Sequence, residues 1–267
     1  MESISTYDLP TLDKIGVIRG MLPMTCEGTA LDIGIGTGYT TYNVFGDRPT
    51  VCLDLHQPNL LYYKDRVGEM TSSPQTHYTV GQATALPYRS ESFQYVLCSE
   101  VLEHLEDDDA AIEEIARVMA PDGRAILTVP YSGLGFTGFL ELLRIKTVHD
   151  YPGPEFHVRP GYDEQSMNKL LARHGLEAEQ YSYYLRFFTK VIVDAVSLAH
   201  IAYERCVKHR QSWTWSEAAE AENSSAFRAY TKLFPALQTV AKADRFLSRG
   251  RGFGLVACVR KATNGNR

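Results

Sequence analysis

Leu31-Asp32-Ile33-Gly34-Ile35-Gly36-Thr37-Gly38-Tyr39 is the stretch on which the reading of this chain turns. An apolar run ends in a glycine at every second position, and a helix start follows at once. Glycines spaced this way allow positive φ and let the backbone approach a ligand closely. A loop of this kind ends the first strand of an open parallel sheet, where ligands collect beyond the carboxyl ends of the strands. The pattern is G-x-G-x-G, one residue tighter than the dinucleotide fingerprint G-x-G-x-x-G, and Asp32 stands two residues before its first glycine.

Outward from that loop, β-rich runs alternate with helical patterns, the signature of βαβ units and a parallel sheet. Strands are expected over 29–35, 50–55, 77–82, 95–99 and 124–130, several of them continuous apolar runs suited to burial on both faces. A helix is expected over 107–120. Asp107, Asp108 and Asp109 stand at the positive end of its dipole, and Ile112, Ile115 and Met119 lie at helical spacing. Pro121-Asp122-Gly123 then reads as the turn into strand five. A further helix is expected over 164–174, with Asp163 as N-cap and Gly175 past its end.

Two later strands are expected at 178–184 and 253–260. The long gap between them cannot be a structureless loop in a compact domain. Its pattern is helical: Phe188, Val191/Ile192, Ala195, Leu198/Ala199 and Ala202 form one stripe, and a second helical stretch is expected over 216–247. Residues 1–267 thus read as one domain, with a ligand-binding core over 26–130 and a helical cap inserted at 186–250.

The chain has 267 residues, 44% hydrophobic and 22% charged, which excludes a disordered or collagen-like chain. Lys+Arg total 27 against 32 Asp+Glu, a formal net charge of −5. A nucleic-acid binder normally carries a basic excess to replace phosphate counterions, so that class is disfavoured. The five cysteines Cys26, Cys52, Cys98, Cys206 and Cys258 show no CxxC or zinc spacing and read as reduced thiols. The start MESISTYDLPTLDK lacks a basic segment followed by an apolar one, so no signal peptide and a cytoplasmic location are expected. The longest apolar stretch, Tyr183 to Tyr203, is interrupted by Arg186, Lys190 and Asp194 and is not read as a membrane span.

Four successive strand ends carry polar or glycine residues: the glycine loop, Asp54, Gly81-Gln82-Ala83-Thr84 and Ser99-Glu100. An acidic residue at the tip of strand two suits the two hydroxyls of a ribose. Taken in order, LDIGIGTG, VCLDL, GQATALPY, SFQYVLCSEVLEHLEDD and EEIARVMAPDGRAILTVP resemble the class I S-adenosylmethionine-dependent methyltransferases. The likeness is to the small-molecule branch that holds the ubiquinone- and menaquinone-biosynthesis enzymes, and it spans about 29–130.

That resemblance implies a Rossmann-like seven-stranded sheet whose last strand is antiparallel, with helices on both faces. It implies that Asp32, Gly34, Gly36 and Gly38 hold the methionine part of S-adenosylmethionine. It implies further that Asp54 with Leu55 takes the ribose, that Gln82, Ala83 and Thr84 border the adenine, and that Ser99 lies near the sulfonium. The family usually has an acid at position 82; Gln82 can accept the same hydrogen bond through its carbonyl, without the charge.

A sulfonium methyl is already a good electrophile, so alignment and water exclusion do most of the work, and a base helps where the acceptor is a hydroxyl. His104 and His157 are the candidate bases, with His149 behind them. Glu100, Glu103 and His104 fall at offsets of three and four, expected on one side of a helical turn. E-x-x-E-H resembles the Mg2+-type metal site of small-RNA 2′-O-methyltransferases, where a further histidine follows strand five, as His157 does here. The alternative is a plain helix start with no metal.

Tyr7, Tyr131, Phe136 and Phe139 are candidates to close over the pocket, with packing as the simpler account. The cap carries Tyr181, Tyr183, Tyr184, Phe187, Phe188, Tyr203, Trp213, Trp215, Phe227, Tyr230, Phe234 and Phe246, which suits an apolar acceptor pocket. Lys208, Arg210, Lys242, Arg245, Arg249 and Arg251 leave peripheral membrane contact open, and packing on a homodimer mate is a further alternative. The expected activity is O-methylation of a small, fairly apolar or lipid-linked metabolite. The alternatives are an RNA 3′-end 2′-O-methyltransferase and a non-catalytic cofactor-binding subunit.

Overall fold

The computed structural model describes residues 8–23, 28–46, 48–66, 76–133, 157–203, 225–244 and 250–263. Tyr7, Cys26, Phe136, Phe139, His149, Cys206, Lys208, Arg210, Trp213, Trp215, Arg245, Phe246 and Arg249 lie outside them, as do the side chains of Tyr203 and Phe227.

In chain order the elements are α1 (Leu9–Met21), β1 (Ala30–Ile33), α2 (Tyr39–Phe45), β2 (Thr50–Asp54), α3 (Gln57–Arg66), β3 (Thr76–Val80) and β4 (Phe93–Ser99). There follow α4 (Asp108–Val118), β5 (Met119–Pro130), α5 (Glu164–Arg173), β6 (Leu176–Tyr184), α6 (Phe187–Tyr203), α7 (Ser225–Ala241) and β7 (Gly254–Lys261). A single 3-10 turn, Leu102–His104, stands between β4 and α4.

The seven strands form one sheet in the order β3-β2-β1-β4-β5-β7-β6. The pairs β1·β2, β1·β4, β2·β3 and β4·β5 are parallel, and β7 runs antiparallel to both β5 and β6. The central strands are buried along nearly their whole length because helices cover both faces, which is why ALDI and VLC carry no alternation. The edge strands β3 and β6 are half exposed and carry polar residues between the apolar ones.

One large core runs from Leu31 and Ile33 through Val96 and Leu127 to Leu255, and α4 adds Ala111, Ile112, Ile115 and Val118. Each buried isoleucine there contributes about 1.5–3 kcal/mol. Asp107 caps α4 by accepting from the Ala110 amide at 2.9 Å. Asp163 caps α5 in a reciprocal box with Ser166.

One boundary moves. Met119 is not the last apolar position of α4 but the first residue of β5, and Pro121-Asp122-Gly123 lies within that strand. Met119 pairs with Phe93, and the register shifts before Tyr95 meets Arg124, so an irregularity absorbs the proline and glycine. Cys52, Cys98 and Cys258 are buried free thiols, and burial pushes Cys258 up to about 11.

Two compact units are distinguished: residues 15–134, 154–184 and 254–267, and residues 1–14, 135–153 and 185–253. Within the second, Leu9, Phe234 and Ala241 form a small core with Ile192, Val193 and Tyr230 against it. The expected apolar stripe of α6 is not its buried face. Thr189, Lys190 and Asp194 are buried, whereas Leu198 is 41% exposed. Asp244 accepts from the Phe188 and Thr189 amides at 2.9 and 2.7 Å, capping the helix from far along the chain, and Lys190 pairs with Asp194 at 2.8 Å. Those inward polar bonds set the rotation of the helix. No helix among the described residues is long and apolar enough to cross a membrane.

Candidate functional site

The loops after β1, β2, β3 and β4 stand side by side at the carboxyl edge of the parallel strands, in the larger unit. Gly34, Gly36 and Gly38 all have positive φ, at 76°, 54° and 72°. Two of them are also packed: a Cβ on Gly38 would lie 1.7 Å from Tyr63, and one on Gly34 would lie 2.4 Å from Val101. A Cβ on Gly36 meets nothing within 4 Å, so the loop is closed underneath and open where a ligand would lie.

Asp54 holds the loop in this shape. Its Oδ2 accepts from the Gly36 amide at 3.1 Å, and its Oδ1 accepts from the His56 amide at 2.8 Å and Asn59 Nδ2 at 3.1 Å. Asp32, buried in β1, accepts from the Thr41 hydroxyl at the start of α2. Leu55 is 57% exposed directly beside Asp54. These residues fit a nucleoside bearing an amino-acid arm: an acidic pair, an open backbone cradle and an apolar platform.

After β3, Gln82 bridges to Ala85, Ala83 is buried and Thr84 is half buried. The rest of this loop is tied down by α4. Glu114 Oε2 accepts from the Leu86 amide at 2.6 Å, while Arg117 donates to the carbonyls of Tyr88 and Leu86 at 2.7 and 2.9 Å. Arg117 beside it holds the Glu114 carboxyl below its ordinary value. Reading the sequence missed these two residues. Their i,i+3 spacing marks an ion pair on a helix but says nothing of the loop it grips.

Beyond β4 the expected cluster divides. Glu100 is not on a helical turn with Glu103 and His104; its φ is 55°, rare outside glycine, and it closes the strand. Its Oε1 accepts from the Thr128 hydroxyl at 2.6 Å and the Tyr184 hydroxyl at 2.8 Å, and Ser99 Oγ lies 2.9 Å from the same Thr128 hydroxyl. Glu103, His104 and His157 do come together. Each offers a ligand atom, and all three lie within 4.8 Å of one another. The imidazole rings meet edge to face at 4.7 Å, and His104 Nε2 lies 3.9 Å from Glu103 Oε1. Burial, and secondarily the neighbouring His104, pushes His157 below its ordinary value. Tyr131 stacks edge to face on Tyr183 at 5.1 Å.

Residues 31–127 match the family model described as "Methyltransferase domain". The chain is 29% identical over 157 residues to the ubiquinone/menaquinone biosynthesis C-methyltransferase UbiE of Vibrio parahaemolyticus, covering 57% of this chain and 54% of that one. It is 29% identical over 112 residues to the 27-O-demethylrifamycin SV methyltransferase of Amycolatopsis mediterranei, covering 41% of each. The chain thus spans about half the length of the curated relatives it matches. Among solved structures it resembles Haemonchus contortus phosphoethanolamine N-methyltransferase 2 in complex with S-adenosyl-L-methionine. That match has TM-score 0.55 and 16% identity, over 92% of this chain and 51% of that one, a likeness of fold.

Proposed function

We infer, from the match of residues 31–127 to a methyltransferase domain, that this chain is a class I S-adenosylmethionine-dependent methyltransferase that transfers a methyl group to a small acceptor. The observation that carries this is the open Gly36 cradle locked by Asp54, beside the exposed Leu55. Asp32, Gly34, Gly36 and Gly38 would hold the amino-acid arm of the cofactor, Asp54 and Leu55 the ribose and one face of the base, Gln82, Ala83 and Thr84 the base edge, and Ser99 the region of the sulfur. When bound, the cofactor supplies an electrophilic methyl on a sulfonium.

The protein's part is to align the acceptor, exclude water and receive a proton. We assign the acceptor atom as a hydroxyl oxygen on a fairly apolar or lipid-linked metabolite. The rim after β4 supports this, because the imidazoles of His104 and His157 stand there as proton acceptors. The net charge of −5 argues against an RNA end as acceptor. Among the named proteins are a C-methyltransferase and an N-methyltransferase, so the choice of oxygen rests on the two histidines and not on those names.

Calorimetric titration with S-adenosylhomocysteine tests the premise. Micromolar binding, about −8 kcal/mol, is expected. Asp54→Ala removes the acceptor of the Gly36 amide in the cradle and of His56 and Asn59 beside it, and should weaken binding at least tenfold. No heat of binding would sink the reading. A screen of phenolic, lipid-linked and RNA-oligomer acceptors then assigns the substrate class, and turnover of RNA alone would replace the small-molecule proposal.

A further inference from the structure

We propose that Glu100, Thr128 and Tyr184 form a directed hydrogen-bond chain that presents the Ser99 hydroxyl oxygen to the cofactor as an acceptor, and that this chain makes the site prefer a positively charged sulfonium to its neutral thioether product. The inference rests on the methyltransferase reading and adds a source of specificity to it. The direction of the chain follows from counting protons. A carboxylate accepts and does not donate, and each hydroxyl has one proton to give. Glu100 Oε1 accepts from Thr128 Oγ1 at 2.6 Å and from the Tyr184 hydroxyl at 2.8 Å. Thr128 has thereby given its proton, so the 2.9 Å contact with Ser99 Oγ is a bond that Ser99 donates. Only lone pairs then remain on the Ser99 oxygen for a ligand. An untethered serine hydroxyl rotates to suit either charge; this one is held as an acceptor.

Ser99 stands beside the glycine loop. β1 and β4 pair in parallel with Ile33 opposite Cys98, so Ser99 follows next to Gly34 at the strand ends. The amino-acid arm assigned to that loop ends at the sulfonium. A dipole fixed with its negative end toward a cation needs no reorganisation when the ligand arrives. When the methyl group leaves, the charge leaves the sulfur, so the same pole loosens the product. The fold maintains this chain at a cost. Glu100 has a φ of 55°, a conformation that a side-chain-bearing residue keeps only where its surroundings impose it. Its amide donates to the Thr128 carbonyl at 2.9 Å, which ties it to β5. Thr128 and Tyr184 are buried, and Tyr184 pairs with Gly254 of β7. A Cβ on Gly254 would lie 1.9 Å from the Tyr184 ring, so any side chain there pushes the ring aside and takes its hydroxyl from Glu100.

The test is calorimetric titration of the full-length protein with S-adenosylmethionine and with S-adenosylhomocysteine, without any methyl acceptor. The readout is the ratio of the two affinities, because a purely structural loss weakens both ligands alike and leaves the ratio unmoved. Ser99→Ala, Glu100→Gln and Thr128→Val should each lower the preference for S-adenosylmethionine about fivefold or more. Tyr184→Phe should lower it less, because Thr128 still holds the carboxylate. Thr128→Val cuts the chain while the Glu100 charge stays in place, and valine keeps the branched shape that the strand buries; circular dichroism checks the fold of each variant. Binding of both ligands with a ratio unmoved in Thr128→Val overturns the inference and leaves the methyltransferase reading standing. A ratio that falls in Glu100→Gln alone also overturns it, since the charge then acts without the chain. Binding of neither ligand by the unaltered protein removes both the inference and the reading beneath it.

Discussion

At Gly38 a methyl group would stand 1.7 Å from Cδ2 of Tyr63, at a φ of 72° that side-chain-bearing residues rarely adopt. Gly38→Ala therefore costs backbone strain and displaces an aromatic ring from the small core beneath the loop. A loss of at least about 1–3 kcal/mol is expected in urea denaturation, together with loss of S-adenosylhomocysteine binding. Gly20, exposed in α1 with nothing within 4 Å of a Cβ, is the matching control. There the same change should stabilise by about 0.5–1 kcal/mol and leave binding alone. Equal effects at the two positions would refute the argument from conformation. Gly34 and Gly38 are required by what lies beneath them, whereas Gly36 has open space around it and is constrained only by its φ of 54°.

At the scale of elements, α4 serves the strand-end loops as much as the core. Its inner face is apolar, and its side presents Glu114 and Arg117 to the loop that follows β3. Arg117→Ala removes two bonds to carbonyls and the partner of Glu114, and charge-assisted bonds of this kind are worth about 1.5–3 kcal/mol each before solvent exposure weakens them. Hydrogen exchange at Leu86 and Tyr88 should speed up, and cofactor affinity should fall about threefold to tenfold through a looser Gln82–Thr84 segment. Unchanged affinity with faster exchange would show that this segment is not part of the binding surface.

At the scale of the whole molecule, the perturbed groups define a window of stability against pH. Glu114, Asp109 and Asp163 all titrate below their ordinary values, held by Arg117, by His174 and by Ser166 respectively. In the acid range the unfolded chain binds protons that these carboxylates refuse, so stability is full above pH of about 4.5 and falls as the pH drops through the folded-state values. The thiols act oppositely. Burial raises Cys98 and brings Cys258 up to about 11 from 9.0. Above pH of about 9 the unfolded thiols ionise while the folded ones do not, and stability declines from there upward. Melting temperatures measured from pH 3 to 11 should show a plateau between these limbs. Glu114→Gln should lower the plateau and flatten the acid limb, and an unchanged acid limb would remove Glu114 from the account.

Local sequence determined the parallel half of the sheet, its glycine loop, the acidic start of α4, the cap of α5 and the resemblance of the segment that matches a methyltransferase domain. Each is a short-range property: an apolar run, glycines at fixed offsets, an Asp before a helix. Four strand-end groups could be placed in one row because strand order follows from the family pattern and each group sits next to its own strand. Tertiary structure carried three other matters. It turned Glu100 away from Glu103 and His104, because a residue at positive φ breaks the helical phase that offsets of three and four assume. It brought His157 to His104 across more than fifty residues through the clip of Val158 and Arg159, a meeting that the resemblance implied and no local spacing could show. It rotated α6 so that Lys190 and Asp194 face inward, because Asp244, distant in sequence, supplies its cap. Long-range hydrogen bonds carry these outcomes, and no local period encodes them.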